Sequence, residues 1–328
     1  MKNNSMQWVL GGALALIGLF VLIALIGVRS QADTVQTQAN VTNVAPTVDT
    51  VYVDNQAAYT GSGAFNNGST PIVISGGVVN ASYHVHGTVS DDNGVGTGYG
   101  DGDIQNVALI FRSSTAPSGD NCSAPDANNC IKVDTCQVRG LDADTLEYDC
   151  SFDMKFWADS TDGNGVNGDG ATWIAKVMVN DDGNLTSSST VSTIEVATTL
   201  ALHYPVTTIN YGTLARAFSG ATADAKSFVV RQYGNDTATV QVSGTTMYCS
   251  VLGQIPPPDQ KWDLQAFTWN GGGTALTGTP SSIQPTFLNY RTHESNHLEN
   301  TFYWNIKMPT AVSGSCAGTS TFSALAGS

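Results

Sequence analysis

Charged side chains are scarce: Asp, Glu, Lys and Arg make up 12% of the 328 residues, with 13 Lys plus Arg against 27 Asp plus Glu. The resulting net charge of -14 repels phosphate backbones and anionic headgroups, which excludes nucleic acid as a partner. Sustained helical periodicity is missing after the N-terminal segment, so βαβ folds are disfavoured. Cysteines never form a C-x-x-C pair, which argues against a structural zinc site. There is no G-x-S-x-G elbow, P-loop or paired Cys/His nucleophile, and the expectation is a protein without catalysis and without a firm cofactor.

What is present begins with one long apolar run. From Trp8 to Val28 the sequence carries no charge, and at about 1.5 Å per residue a helix of that length crosses a roughly 30 Å hydrocarbon layer. A signal peptide competes with this reading, because Ser30-Gln31-Ala32 offers small residues for cleavage; length favours an uncleaved signal anchor. Lys2 and Arg29 flank the span almost evenly, so orientation rests on the cysteines and acidic bulk, which place the C-terminal part outside the cell. A pilin-like filament subunit, its apolar helix packed among copies of itself, is the alternative, although no basic leader ending in Gly precedes the span.

The expected fold is all-β: two Ig-like β-sandwich domains following one N-terminal transmembrane α-helix. Residues 1–7 form a short cytoplasmic N-terminus, 8–28 the helix and 29–46 a polar stalk rich in Thr, Gln and Asn. Residues 47–197 contain about seven short β-branched runs separated by Gly, Asn and Asp turns, and 198–328 hold a second set. In that second domain alternation makes Tyr211, Phe228, Val230, Val240, Val242 and Trp304 core.

The six cysteines divide four and two between these domains, as closed disulfides in an oxidising compartment require. Cys249 with Cys316 is the single choice in the second domain, where it is expected to staple the two sheets. Cys122, Cys130, Cys136 and Cys150 allow three pairings; ease of short-loop closure favours Cys122 with Cys130 and Cys136 with Cys150.

VHGTVSDDNG, NCSAPDANNC, YDC and WADSTDG, taken together, resemble Ig-like domains of surface proteins from candidate-phylum bacteria and small-genome archaea. The resemblance covers residues 47 to 195 and implies a fold and a cell-surface location rather than an activity. The expected role is that of a single-pass cell-membrane protein with extracellular domains that are structural, adhesive or ligand-binding. Its expected partners are the membrane, a surface protein or glycan, or further copies in a filament or surface layer.

Several residues invite a chemical reading. His293-Glu294-Ser295-Asn296-His297 satisfies H-E-x-x-H, but strand-like sequence flanks it and no third ligand follows, so a zinc peptidase stands only as a second alternative. His84 and His86, two apart on a strand, share a face and a metal-binding potential. Asp91, Asp92, Asp101, Asp103, Asp159 and Asp162 lie in Gly-rich turns near strand ends, with Asp169 and Asp181-Asp182 near others. Carboxylates gathered at one pole of a sandwich make a calcium site; the same residues serve turns through their own backbone bonding. Sequons at Asn40, Asn67, Asn80, Asn184 and Asn235 permit glycans, while Asn121, next to Cys122, is the poorest acceptor. Trp262, Trp269, Tyr290, Tyr303 and Trp304 form an aromatic set suited to stacking on sugars or packing a core.

Overall fold

The computed structural model describes residues 42–56, 63–77, 81–122, 128–162, 171–288 and 298–326. The expected transmembrane helix at 8–28 lies outside them; among the described residues no helix is long and apolar enough to cross a membrane. Residues Asn43–Ser328 form one compact unit, and its described residues are all-β with three short 3-10 turns.

Nine strands occupy its first part: β1 (Thr47–Val48), β2 (Tyr52–Asp54), β3 (Ala81–Ser90), β4 (Ile104–Ser113), β5 (Cys130–Val133), β6 (Gln137–Gly140), β7 (Thr145–Met154), β8 (Trp173–Asp181) and β9 (Thr186–Ile194). They make two antiparallel sheets, ordered β1-β3-β7-β6 with β2 also on β3, and β5-β4-β8-β9. The pleat explains which face of each turns inward. On β8, Trp173, Ala175, Val177 and Val179 are buried while Ile174, Lys176 and Met178 between them are only partly so, the period of two that a half-covered strand requires. On β7 the inward set is Leu146, Tyr148, Cys150, Phe152 and Met154. These sets close on one core containing Trp157, Trp173, Phe111 and Tyr148, so this part is a β-sandwich.

Eleven strands follow: β10 (Leu202–His203), β11 (Lys226–Gln232), β12 (Ala238–Gly244), β13 (Met247–Cys249), β14 (Gln254–Ile255), β15 (Gln260–Asp263), β16 (Thr274–Ala275), β17 (Ser281–Leu288), β18 (Glu299–Ile306), β19 (Cys316–Ala317) and β20 (Ser320–Ala326). Sheets β10-β11-β18-β15-β16 and β17-β12-β20 enclose a second core, and a small sheet β14-β13-β19 sits beside them. Phe228, Val230, Val240, Val242 and Trp304 are buried in this second core, and Tyr211 packs against it half-buried.

Three disulfides close all six cysteines: Cys122–Cys130, Cys136–Cys150 and Cys249–Cys316. One expectation is corrected. Cys249 and Cys316 are directly opposed partners on adjacent strands β13 and β19 of the three-stranded sheet, so the bond ties neighbours within a sheet and does not staple two sheets together.

Candidate functional site

The alternation that buries one face of each strand carries acids to one end of the first core. Tyr83, Val85 and Val89 are the inward residues of β3, and Asp91 follows in the same phase just past the strand, 2% exposed. Asp181 is the last inward position of β8 and is fully buried. Asp103 immediately precedes β4, which pairs with β8 so that Ile104 lies opposite Asp181. Three chain segments therefore bring Asp91, Asp103 and Asp181 together, with one ligating oxygen from each lying within 4.8 Å of the others. Among the described residues this is the one group of three or more potential metal ligands.

The hydrogen bonds fix this end of the fold. Leu185 N donates to Asp181 Oδ1 at 2.7 Å and Asn43 Nδ2 to Asp181 Oδ2 at 2.9 Å. Asn93 N donates to Asp91 Oδ1 at 2.8 Å. Asp182 N donates to the carbonyl of Asp103 at 2.8 Å, and Asp103 N to that of Gly94 at 2.9 Å. Two carboxylate oxygens stay outside the network: Oδ2 of Asp91 and Oδ2 of Asp103 are both buried and accept from no described residue.

Electrostatic crowding follows. The Asp103 carboxyl shares a hydrogen bond with Asp182, is desolvated, and faces the charges of Asp91 and Asp181, which together push its pKa up to about 6. Burial likewise raises Asp91, and the charges of Asp181, Asp92 and Asp182 add to it against the opposing bond from Asn93.

The six aspartates singled out from the sequence do not share one pole. Asp91 and Asp103 join the cluster. Asp92 and Asp101 are exposed beside it, the latter accepting from Thr97 Oγ1 at 2.8 Å. Asp159 and Asp162 sit at the opposite end of β8: Asp159 Oδ1 accepts from Asn128 Nδ2 at 2.8 Å, its carbonyl accepts from Trp173 Nε1, and Asp162 holds Thr198 through both carboxylate oxygens. The nine-residue strand β8, with Asp181 as its last residue, keeps the two groups apart, so a single site including all six is excluded. Asp181, by contrast, belongs to the cluster although its place in the sequence set it apart. Its inward phase on β8 was the available signal.

His84 and His86 do share a face, but each has its own carboxylate. His84 Nδ1 lies 2.9 Å from Asp149 Oδ1, and His86 Nε2 lies 3.0 Å from Asp54 Oδ2. They are structural pairs on strands β2, β3 and β7 rather than two ligands of one ion. His293, Glu294 and His297 lie outside the described residues, as do Tyr290, Asn40 and Asn80.

Of the remaining sequons, Asn67, Asn121 and Asn184 are exposed. Asn235 is corrected: it is fully buried, its Nδ2 donates to the carbonyls of Ala158 and Ala197, and its Oδ1 accepts from Thr199 N at 2.6 Å. No glycan fits there on the folded chain. Trp262, Trp269 and Trp304 are buried, so the aromatic set serves mainly as core.

A different surface presents apolar side chains to solvent. Tyr248, Val251 and Leu252 are 69%, 73% and 55% exposed. Tyr248 lies on β13 and Val251 and Leu252 on the turn to β14, which is closed by the bond from Cys249 N to Gly253 O at 3.1 Å and anchored at its base by Cys249–Cys316.

No family model matches the chain, and no curated protein matches it. Among solved structures, a chain from work on a chaperone–tip adhesin complex described as vital for synergistic activation of CFA/I fimbriae biogenesis is similar over 85% of this chain and 91% of its own. The identity is 9% and the TM-score 0.28. A likeness at that score establishes neither a shared fold nor a shared role.

Proposed function

We propose that the protein is a single-pass, membrane-anchored surface protein whose two Ig-like sandwiches stand outside the cell in a structural or adhesive role, without catalysis. The observation that carries this reading is the closure of every cysteine into a disulfide within described residues that are all-β. Such bonds persist in oxidising, extracytoplasmic compartments, and the uncharged run Trp8–Val28 supplies a means of holding the chain there. The adhesive part of the reading rests on the turn carrying Tyr248, Val251 and Leu252. Large apolar side chains clustered in solvent on a covalently braced turn are suited to partner contact.

The test is made on the cells that produce the protein. Protease added to intact cells should remove the region beyond the stalk, while carbonate-washed membranes retain an N-terminal fragment containing residues 8–28. Full protection from external protease, or complete release by carbonate, would overturn the anchored arrangement. Immunogold label running along fibres would replace the anchor with the filament reading.

A further inference from the structure

We propose that Asp91, Asp103 and Asp181, with Asp182 beside them, form a calcium site at the end of the first sandwich. Three observations combine. The ligating oxygens of Asp91, Asp103 and Asp181 converge from three separate chain segments to within 4.8 Å of one another, a spread that one cation bridges with bonds of about 2.3–2.6 Å. Asp91 is 2% exposed, one of its oxygens is satisfied by Asn93 N, and the other is buried with no donor among the described residues. Asp103 Oδ2 is also buried and without a donor among the described residues, on a half-buried residue whose carboxyl meets Asp182. Buried carboxylate oxygens are almost always partnered, because leaving one unsatisfied forfeits its hydration; a cation held among the three carboxylates supplies the missing partner.

The charge balance points the same way. Among the described residues, the N–H donors to the cluster are neutral: the amides of Asn93 and Leu185 and the side chain of Asn43. Among the described residues, Arg112 and Lys176 pair with Asp120, Lys132 with Asp134 and Arg139 with Glu147. No Lys or Arg among these pairs stands between the carboxylates of the cluster. The donors are all carboxylate oxygen with no imidazole or thiolate, the hard set that selects calcium over zinc or copper. Asp181 keeps a lone pair on each oxygen after accepting from Leu185 and Asn43, so it ligates without giving up the bonds that hold the β8–β9 turn.

Calorimetric titration of the full-length chain in detergent, stripped with chelator and then given calcium, tests the site together with thermal melts. The expected result is one calcium per chain and a melting temperature about 2–5 °C higher at millimolar calcium. Asp103→Asn should weaken calcium affinity at least tenfold yet melt no lower than the native chain in chelator, because it removes a crowded charge. Asp91→Asn provides a second reading of the same loss, and Asp101→Asn, an exposed neighbour, should keep native affinity. No heat and no melting shift up to about 5 mM calcium, within the range at which extracellular calcium modules fill, would overturn the proposal. So would an Asp103→Asn protein that binds calcium like the native chain.

Discussion

Asn235 Nδ2 donates to the carbonyl of Ala158 at 2.9 Å across 77 residues of sequence. The same nitrogen reaches Ala197 O at 3.0 Å and the side-chain oxygen takes Thr199 N, so one buried amide ties the β11–β12 turn to two segments of the first part. Replacing it with Ala takes the side-chain partner from three backbone groups, one buried and two part-buried, and is expected to cost about 2–4 kcal/mol. Asn235→Asp is the sharper variant. It preserves the size but puts an acceptor against two carbonyls, so it should destabilise at least as much as Ala. Urea midpoints of the three proteins check this; an Asp variant as stable as the native chain would show that the amide hydrogens are not the link.

Asp120 is the second test, through pH. Its carboxylate takes Lys176 Nζ and Arg112 Nε, each at 2.8 Å, and these cations hold its pKa below the usual carboxylate range. A depressed folded-state pKa gives stability that is present above the unfolded value and lost as pH falls through the folded one. Because Asp120 is 46% exposed, the gain is screened and small, less than about 1 kcal/mol. Asp120→Asn should therefore lower stability slightly at neutral pH, and the difference from the native chain should vanish as pH falls below the ordinary carboxylate range and shrink in high salt. A difference that persists in acid would mean the loss is not electrostatic.

The disulfides supply a third. In the chain-entropy account a bond is worth more the longer the loop it closes. Cys249–Cys316 spans 67 residues and Cys122–Cys130 only 8, so paired Cys→Ala replacements are expected to cost about 4 and about 2.5 kcal/mol respectively. Denaturant unfolding of the two double variants gives the order. Equal costs would place the stabilisation in local packing instead of loop closure.

Much of this architecture was legible before the structure, and what escaped shares a physical cause. Val177 and Val179 announce a strand by alternation, and Phe228 and Val230 do so for β11. Alternation also fixes which face Asp181 occupies, but not that β4 lies beside β8 in the register that sets Ile104 opposite it. That pairing joins residues nearly eighty positions apart. Asp159 and Asp162 share the turn-forming composition of Asp91 and differ only in which end of β8 they occupy. Asn235 satisfies a three-residue glycan signal, and only tertiary burial cancels it. Trp262 reads equally well as a stacking platform or as core until its neighbours Phe302 and Trp304 are placed.

Gly87 offers the last test, because the short motif around it was visible in the sequence while its reason was not. It lies in the middle of β3, opposite Tyr148 of β7, where β-branched residues would ordinarily be preferred. A Cβ built there would stand 2.0 Å from the carbonyl oxygen of Thr50. That carbonyl belongs to the step between β1 and β2, both of which pair with β3, and it accepts from Tyr148 Oη at 2.7 Å. Thr50 Oγ1 in turn accepts from Thr88 N at 2.9 Å. The glycine is thus required for backbone approach and not for a positive φ. Gly87→Ala is expected to push Thr50 away, break both bonds and cost about 2–3 kcal/mol, whereas Tyr148→Phe, which removes one bond alone, should cost about 1 kcal/mol. Amide exchange adds the location: in Gly87→Ala the Thr88 amide should lose protection while β8 keeps its own. A Gly87→Ala chain with native stability would mean the first two strands can shift off β3 freely.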